Sequence, residues 1–207
     1  MALIITVAQQ KGGAGKTTLV ANLATVWARA HRVAAIDMDP QRSLARWGSL
    51  RGDRGGVEVA ECAGWRLSTE VDRLSRHHDL ILVDSPPQID QDARRAVRSA
   101  SLVLVPVQPS PPDIWAAEGT LRIVAEERRR AAIVLNRVPT APKLRQTADR
   151  EPQSRGLTPI AALGNRAVFT QAFAEGLGVG EASPRSVAAT EMSALAEAIW
   201  ARLHGNG

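Results

Sequence analysis

The chain has 207 residues, 44% of them hydrophobic, a single cysteine and a formal net charge of +5. This length and hydrophobic content suffice for one sizeable core, so we expect residues 1–207 to form a single domain. The lone Cys62 excludes an intramolecular disulfide and a four-cysteine metal site within one chain. No apolar stretch reaches the roughly 18 to 20 residues of a membrane span, and the opening MALIITVAQQ lacks the basic leader of a signal peptide. We therefore expect a cytoplasmic protein.

Short apolar runs alternate with helical patterns along the whole chain. Runs rich in Val, Ile and Leu predict strands near 3–8, 33–36, 57–60, 80–83, 102–105, 132–135 and 160–163. Helices are predicted at about 16–30, 41–50, 67–75, 91–99, 112–129, 167–175 and 186–203. The polar stretch 139–159 is predicted to be a surface loop or a helix with flexible ends. This alternation predicts an α/β fold, a single doubly wound, mostly parallel sheet with helices on both faces and ligands at the carboxyl ends of its strands.

A glycine-rich segment, KGGAGKTT, follows the first predicted strand and opens an apolar helix. This strand, loop and helix are the context that a phosphate-binding loop requires, because loop amides and the helix N-terminus both face the anion. Lys16 would contact the β- and γ-phosphates, and the Thr17 hydroxyl would coordinate Mg²⁺. The residues predicted to bind the nucleotide here are Gly12, Gly13, Ala14, Gly15, Lys16, Thr17 and Thr18.

The loop departs from the common GxxxxGK[ST] pattern at two positions. Gln10 stands where a glycine is usual, and an additional lysine, Lys11, precedes the glycines. The loop resembles the deviant Walker motif of the ParA/MinD family of P-loop ATPases, and most of all that of small ParA-like partition ATPases. This resemblance implies a nucleotide-sandwich dimer in which Lys11 reaches the ATP of the partner. A cation supplied in trans would neutralise charge that develops on the γ-phosphate, so hydrolysis would require dimerisation.

Two further strand ends carry carboxylates. In AAIDMDPQ the resemblance implies that Asp39 acts on the attacking water and that Asp37 supports the magnesium shell; alternatively, Asp39 and Pro40 open a helix as its N-cap and first residue. LILVDSPP ends an apolar strand at Asp84, which is typical of a Walker B carboxylate that binds Mg²⁺. The predicted catalytic residues are therefore Lys11, Lys16 and Asp39, and the predicted metal-site residues are Thr17, Asp37 and Asp84.

The segments that follow the fifth and sixth strands also resemble the family. AAIVLNRVP delivers Asn136, whose amide can donate to and accept from an adenine edge. The resemblance makes Asn136 the adenine-binding residue, and the alternative is an asparagine that caps the loop. PVQPSPPDIWAAEG resembles a loop near the nucleotide and dimer interface of small partition ATPases, or it is a plain connector. The implied cofactors are ATP and Mg²⁺.

The resemblance also implies what such a switch acts on. It would dimerise with ATP, bind non-specific DNA, and release it after hydrolysis that a partner protein with a basic, disordered tail activates. This cycle would partition or position a plasmid, a chromosome or a protein cluster, with the protein associated with the nucleoid. LGNRAVFTQAFAEG resembles a segment in which an arginine contributes to DNA binding, so Arg166 is the main DNA-binding candidate. Other candidates for phosphate contacts are Lys143, Arg145, Arg150, Arg155, Arg185 and Arg202.

Two other functions compete with this hypothesis. A MinD-like membrane-associated ATPase would need an amphipathic terminal helix with basic residues. The terminal EMSALAEAIWARLHGNG is instead rich in alanine, and Leu195, Ile199 and Leu203 form an apolar stripe that suits packing against the domain, so we expect no stable membrane association. An ATP-dependent biosynthetic ligase of the related P-loop class would share the loop but generally lacks the additional lysine.

Overall fold

The computed structural model describes residues 2–87, 90–141, 152 and 157–205. Its strands are β1 (Leu3–Val7), β2 (Val33–Asp37), β3 (Val57–Glu61), β4 (Leu80–Asp84), β5 (Leu102–Val107), β6 (Ala131–Val138) and β7 (Pro159–Gly164). They form one sheet in the order β3-β2-β4-β1-β5-β6-β7, and all neighbouring strands are parallel. The predicted α/β fold and its seven strands are confirmed.

The helices connect these strands and cover both faces of the sheet. They are α1 (Lys16–Trp27), α2 (Ser43–Arg51), α3 (Leu67–Leu74), α4 (Gln91–Ser99), α5 (Pro111–Glu126), α6 (Ala167–Ala174), α7 (Val179–Ala182) and α8 (Val187–His204). The short α7 was not predicted. Most of the predicted surface segment 139–159 lies outside the described residues, and so do Lys143, Arg145, Arg150 and Arg155.

The strand order explains which helix covers which face. The chain moves from β1 outward to β2 and β3, then returns through β4 and continues on the other side through β5 and β6. Because crossovers between parallel strands are right-handed, the reversal of direction transfers the connecting helices to the opposite face. Side chains of α1, α2 and α8 share one buried cluster, whereas α3, α4 and α5 contribute to the clusters on the other face. The central β1 therefore delivers its loop to the middle of the carboxyl edge.

The C-terminal helix packs against the sheet. Leu195 and Ile199 are fully buried beside α1 and β7, and Leu203 is half-buried at the end of the same stripe. This confirms the packing predicted from the apolar spacing. No helix in the described part of the chain has the length and apolarity to cross a bilayer.

A buried arginine joins α2 to the segment before α8. Arg51 donates to both carboxylate oxygens of Glu181, at 2.7 and 2.8 Å, and to the carbonyl oxygens of Gly55 and Gly176. Its guanidinium lies 5.5 Å from the ring centre of Trp47. Removal of one partner of such a pair typically costs about 3 kcal/mol, because it leaves the other charge buried without compensation. The contact therefore fixes α2 to the C-terminal part of the domain.

Candidate nucleotide-binding site

The phosphate loop occupies the centre of the carboxyl edge. Gly15 adopts a left-handed conformation with φ of 90°, and a Cβ atom there would overlap with the side-chain amide of Asn136. The backbone amides of residues 12–16 donate no hydrogen bond to any residue that the structure describes. Free amides at the start of a helix form a cradle for an anion. The loop thus fits the phosphates of a nucleotide.

Lys16 is buried at the first position of α1. Its ammonium donates to the carbonyl oxygen of Gln9 at 3.3 Å. Burial lowers the pKa of Lys16, while the nearby carboxylates of Asp84 and Asp39 act in the opposite direction. A cation held by one long hydrogen bond to a carbonyl group is well placed to pair with an incoming phosphate, because that pairing would restore the interactions lost on burial.

Asp84 has the surroundings of a carboxylate that could bind a cation. It is fully buried, and neither of its carboxylate oxygens has a hydrogen-bond partner among the described residues. Burial raises the pKa of Asp84 to about 7, against the opposing effects of the Thr17 hydroxyl and the Lys16 ammonium. The described residues hold no cluster of three acidic, histidine or cysteine side chains that could bind a metal by themselves. Mg²⁺ suits such a site, because it commonly binds one or two protein groups together with phosphate oxygens and water.

Asp37 and Asp39 have different surroundings at the next strand end. Asp37 is the register partner of Asp84, and its two oxygens accept from the amides of Asp39 and Ala45, both at 2.9 Å. Burial raises the pKa of Asp37, and these hydrogen bonds oppose that shift. In this structure Asp37 therefore holds the backbone of the loop that carries Asp39. Its predicted place in the magnesium shell stays a prediction.

Asp39 does not open a helix. Its carboxylate accepts from the amide of Gln41 at 2.9 Å, and α2 begins only at Ser43, because Arg42 adopts a left-handed conformation with φ of 54°. The helix-cap interpretation of Asp39 and Pro40 was wrong for this reason. Asp39 is half-buried and lines a cavity of about 260 Å³ together with Gly13 and Lys16. A carboxylate beside the phosphate loop can act on a water molecule there.

Lys11 is bound to a residue of its own chain. Its ammonium lies 2.5 Å from Oδ2 of Asp113 in the first turn of α5. Asp113 is buried, it also accepts from the Ser110 hydroxyl, and its Oδ1 has no hydrogen-bond partner among the described side chains and backbone. Asp113 was not predicted as a site residue. One local signal could have indicated it, an acidic residue directly after the two prolines of SPPD at a helix start.

Asn136 holds the phosphate loop from the side. Its amide nitrogen donates to the carbonyl of Ala14 at 2.8 Å, and its oxygen accepts from the amide of Arg137 at 3.0 Å. It lines a second cavity of about 190 Å³ with the apolar side chains of Leu19 and Phe169. That cavity has the apolar wall and polar rim that suit a nucleotide base. The contacts match the loop-capping alternative, and the adenine-binding role of Asn136 stays a prediction.

Arg166 lies on the rim of the same second cavity. Its guanidinium donates to both oxygens of Glu191, at 2.7 and 3.2 Å, and its side chain folds over Gly164. This pairing neutralises part of the charge that DNA would contact. Arg185 and Arg202 are exposed. DNA binding by these arginines stays a prediction.

Several known proteins are similar to this chain over most of its length. The chain is 30% identical over 212 residues to the maintenance of carboxysome distribution protein A of Halothiobacillus neapolitanus, and the match covers 92% of each protein. It is 29% identical over 151 residues to the chromosome-partitioning ATPase Soj of Thermus thermophilus, across 58% of this chain and 59% of Soj.

Solved structures agree with the fold. An ATP complex of McdA from Cyanothece superposes with a TM-score of 0.78 at 16% identity, covering 97% of this chain and 96% of McdA. The cell division protein MinD of Aquifex aeolicus gives a TM-score of 0.82 at 22% identity, covering 100% and 98%. Residues 5–177 match the model of the CobQ/CobB/MinD/ParA nucleotide binding domain, and the chain, with its glycine-rich loop at the centre of a parallel sheet, belongs to this ParA/MinD family.

Proposed function

We propose that this chain is an ATP-dependent dimerising switch that hydrolyses ATP and binds non-specific DNA to partition or position a plasmid, a chromosome or a protein cluster. The observation that carries the proposal is the presence of Lys11 and Lys16 in one glycine-rich loop, with Asp39 and Asp84 at the same sheet edge. The names of relatives support it, because they refer to carboxysome distribution and chromosome partitioning.

Each residue of the site has a separate role in the proposed hydrolysis of ATP. The loop amides and Lys16 would bind the β- and γ-phosphates, and Thr17 with Asp84 would hold Mg²⁺. The metal ion would supply Lewis-acid stabilisation of charge on the phosphate oxygens. Asp39 would orient the attacking water and receive its proton, since it is the carboxylate that lines the phosphate cavity. Lys11 of the partner protomer would add the second cation.

Dimerisation would require Lys11 to exchange partners. In the described chain Lys11 pairs with Asp113 of the same chain, so it must leave this carboxylate before it can reach the nucleotide of another protomer. ATP supplies the compensating negative charge, whereas ADP lacks the γ-phosphate. The exchange would therefore couple the dimer to the presence of ATP.

Charge and helix packing support DNA as the target of the switch. The net charge of +5 and the excess of arginine favour a polyanion such as non-specific DNA in the nucleoid. The inward packing of α8 favours this target over a membrane, and Lys11 favours a switch over a biosynthetic ligase. The activating partner would carry a basic, disordered tail.

DNA binding can be tested in a variant that retains ATP. The Asp39→Ala protein with ATP and Mg²⁺ should bind unrelated duplexes with similar affinity in a fluorescence anisotropy titration. If each protomer neutralises roughly three phosphates, raising salt from about 50 to about 200 mM should weaken binding on the order of a thousandfold. Arg166→Glu should weaken binding to all duplexes alike, whereas Arg76→Glu, at an exposed position beyond α3, is the matched control.

The outcome separates the two targets. If the ATP-bound dimer has no DNA affinity at low salt, the DNA hypothesis is wrong. Flotation of the same protein with anionic liposomes and ATP would then support the membrane-associated alternative.

A further inference from the structure

Arg137 stands at an irregular point of the sheet beside the nucleotide site. It follows Asn136 near the end of β6, where the pairing with β7 shifts register between Leu135 and Val138. Its backbone is left-handed, with φ of 53°, a conformation that side chains other than glycine and asparagine rarely adopt. Strained backbone of this kind persists where the surroundings hold it, and it is frequent at binding sites.

Asn136 connects Arg137 to the phosphate loop. The Asn136 oxygen accepts from the Arg137 amide, and the Asn136 nitrogen donates to the carbonyl of Ala14. One amide side chain thus joins the strained residue to the loop. The orientation of Arg137 is therefore linked to the loop that would bind phosphate.

The side chain of Arg137 lies between two parts of the site. It lines the cavity with Gly13 and Lys16, where the terminal phosphates would bind, and also the cavity with Leu19 and Phe169, which suits a base. In a nucleoside triphosphate the groups between base and terminal phosphates are the ribose and the α-phosphate. Arg137 is the arginine that borders both cavities at this junction.

Arg137 carries a charge that no described residue compensates. The residue is exposed, and no carboxylate forms an ion pair with it in the part of the chain that the structure describes. Arg166, on the rim of the base cavity alone, is paired with Glu191. A free guanidinium at the edge of an anion site presents a fork of donors that matches two phosphate oxygens.

We propose that Arg137 binds the α-phosphate and adjoining ribose of the nucleotide, and that it contributes equally to ATP and ADP affinity. This assignment rests on the proposed function, which makes an adenine nucleotide the ligand. It differs from the role of Lys16, whose contacts depend on the β- and γ-phosphates.

The left-handed backbone allows a clean test. Arg137→Gly removes the guanidinium and leaves a residue that adopts this conformation without strain, so the fold should be retained. Arg128→Gly is the matched control, because Arg128 is also an exposed arginine with φ of 54°, at the end of α5 away from both cavities. Thermal unfolding of both variants should match or exceed that of the parent.

Binding of ADP and of ATP to each variant can be measured by calorimetric titration. We expect Arg137→Gly to weaken both nucleotides by about 10- to 100-fold with an unchanged ratio between them, the cost of one charge-assisted contact. Arg137→Lys should be intermediate, and Arg128→Gly should bind as the parent does. The assignment is overturned if a folded Arg137→Gly protein binds ADP as tightly as the parent does. This holds even if that protein loses ATP-dependent dimerisation. A parent chain that binds neither nucleotide overturns the proposed function itself.

Discussion

Replacement of Asp113 by asparagine should strengthen ATP-dependent dimerisation. The ion pair between Lys11 and Asp113 forms within one chain, and under the proposed function it would break before Lys11 reaches a partner protomer. Asparagine keeps the shape of the side chain and can still accept from the Ser110 hydroxyl, but it does not attract the lysine. The substitution therefore raises the free energy of the separated chains more than that of the dimer.

The size of the effect follows from the exposure of the pair. The Lys11 side chain is 40% exposed, so solvent screening reduces the pair to about 1 kcal/mol even though Asp113 is buried. In the proposed dimer, two such pairs would break, one in each protomer. Their removal should favour association by about 2 kcal/mol, which corresponds to a roughly 30-fold lower dimer Kd.

The assay is sedimentation of the Asp113→Asn protein with ATP and Mg²⁺, in the Asp39→Ala background so that ATP persists. Glu126→Gln is the control, because Glu126 lies on the same helix and forms an exposed ion pair with Arg94. It should leave the dimer Kd unchanged, and neither change should alter ADP affinity. A dimer Kd equal to or higher than that of the parent would refute the idea that the contact within one chain restrains Lys11.

Three further substitutions test the site. Lys16→Ala should abolish ATP binding because it removes the main cation for the terminal phosphates, and undiminished affinity in a calorimetric titration would contradict the assignment of the loop. Asp39→Ala should bind ATP and dimerise but release phosphate at least about a hundredfold more slowly, as a phosphate-release assay can show; parent-like hydrolysis would remove Asp39 from the mechanism. In the magnesium-free chain the pKa of Asp84 is raised from 3.8 to about 7, so the folded state binds more protons than the unfolded state between these values. The free energy of unfolding of the parent chain should therefore fall by up to about 4 kcal/mol as pH rises from 4 to 8. Denaturant titrations of Asp84→Asn should show a smaller fall over the same pH range. An equal fall in the variant would assign the pH dependence to other groups.

The fold could be predicted because its determinants are local. The central strands β2, β4 and β5 are short apolar runs that are buried at every position of a covered parallel sheet, so their signal can be read without knowledge of partners. The phosphate loop has the same property, since its glycines, its lysine and the helix that follows are contiguous. Residues 11–18 therefore indicated the nucleotide site directly.

The contacts that modify the site are long-range and could not be predicted in this way. Lys11 and Asp113 are 102 residues apart, and nothing near either residue specifies the other. The start of α2 shifted because Arg42 takes a left-handed conformation, in which it pairs with Glu61 of the neighbouring strand β3. The pairing of Arg166 with Glu191 likewise depends on where α8 packs.

The contacts of Arg51 have a consequence for movement near the nucleotide. The buried Arg51 side chain binds α2 to the residues around Glu181. We therefore expect α2 to stay in place when the loop that precedes it moves. Asp37 accepts from the amide of Asp39 at the start of that loop and from the amide of Ala45 in the first turn of α2. We therefore expect any displacement of Asp39 between nucleotide states to be confined to residues 38–42. We expect hydrogen exchange at those few amides to respond to ATP, while the amides of α2 remain protected.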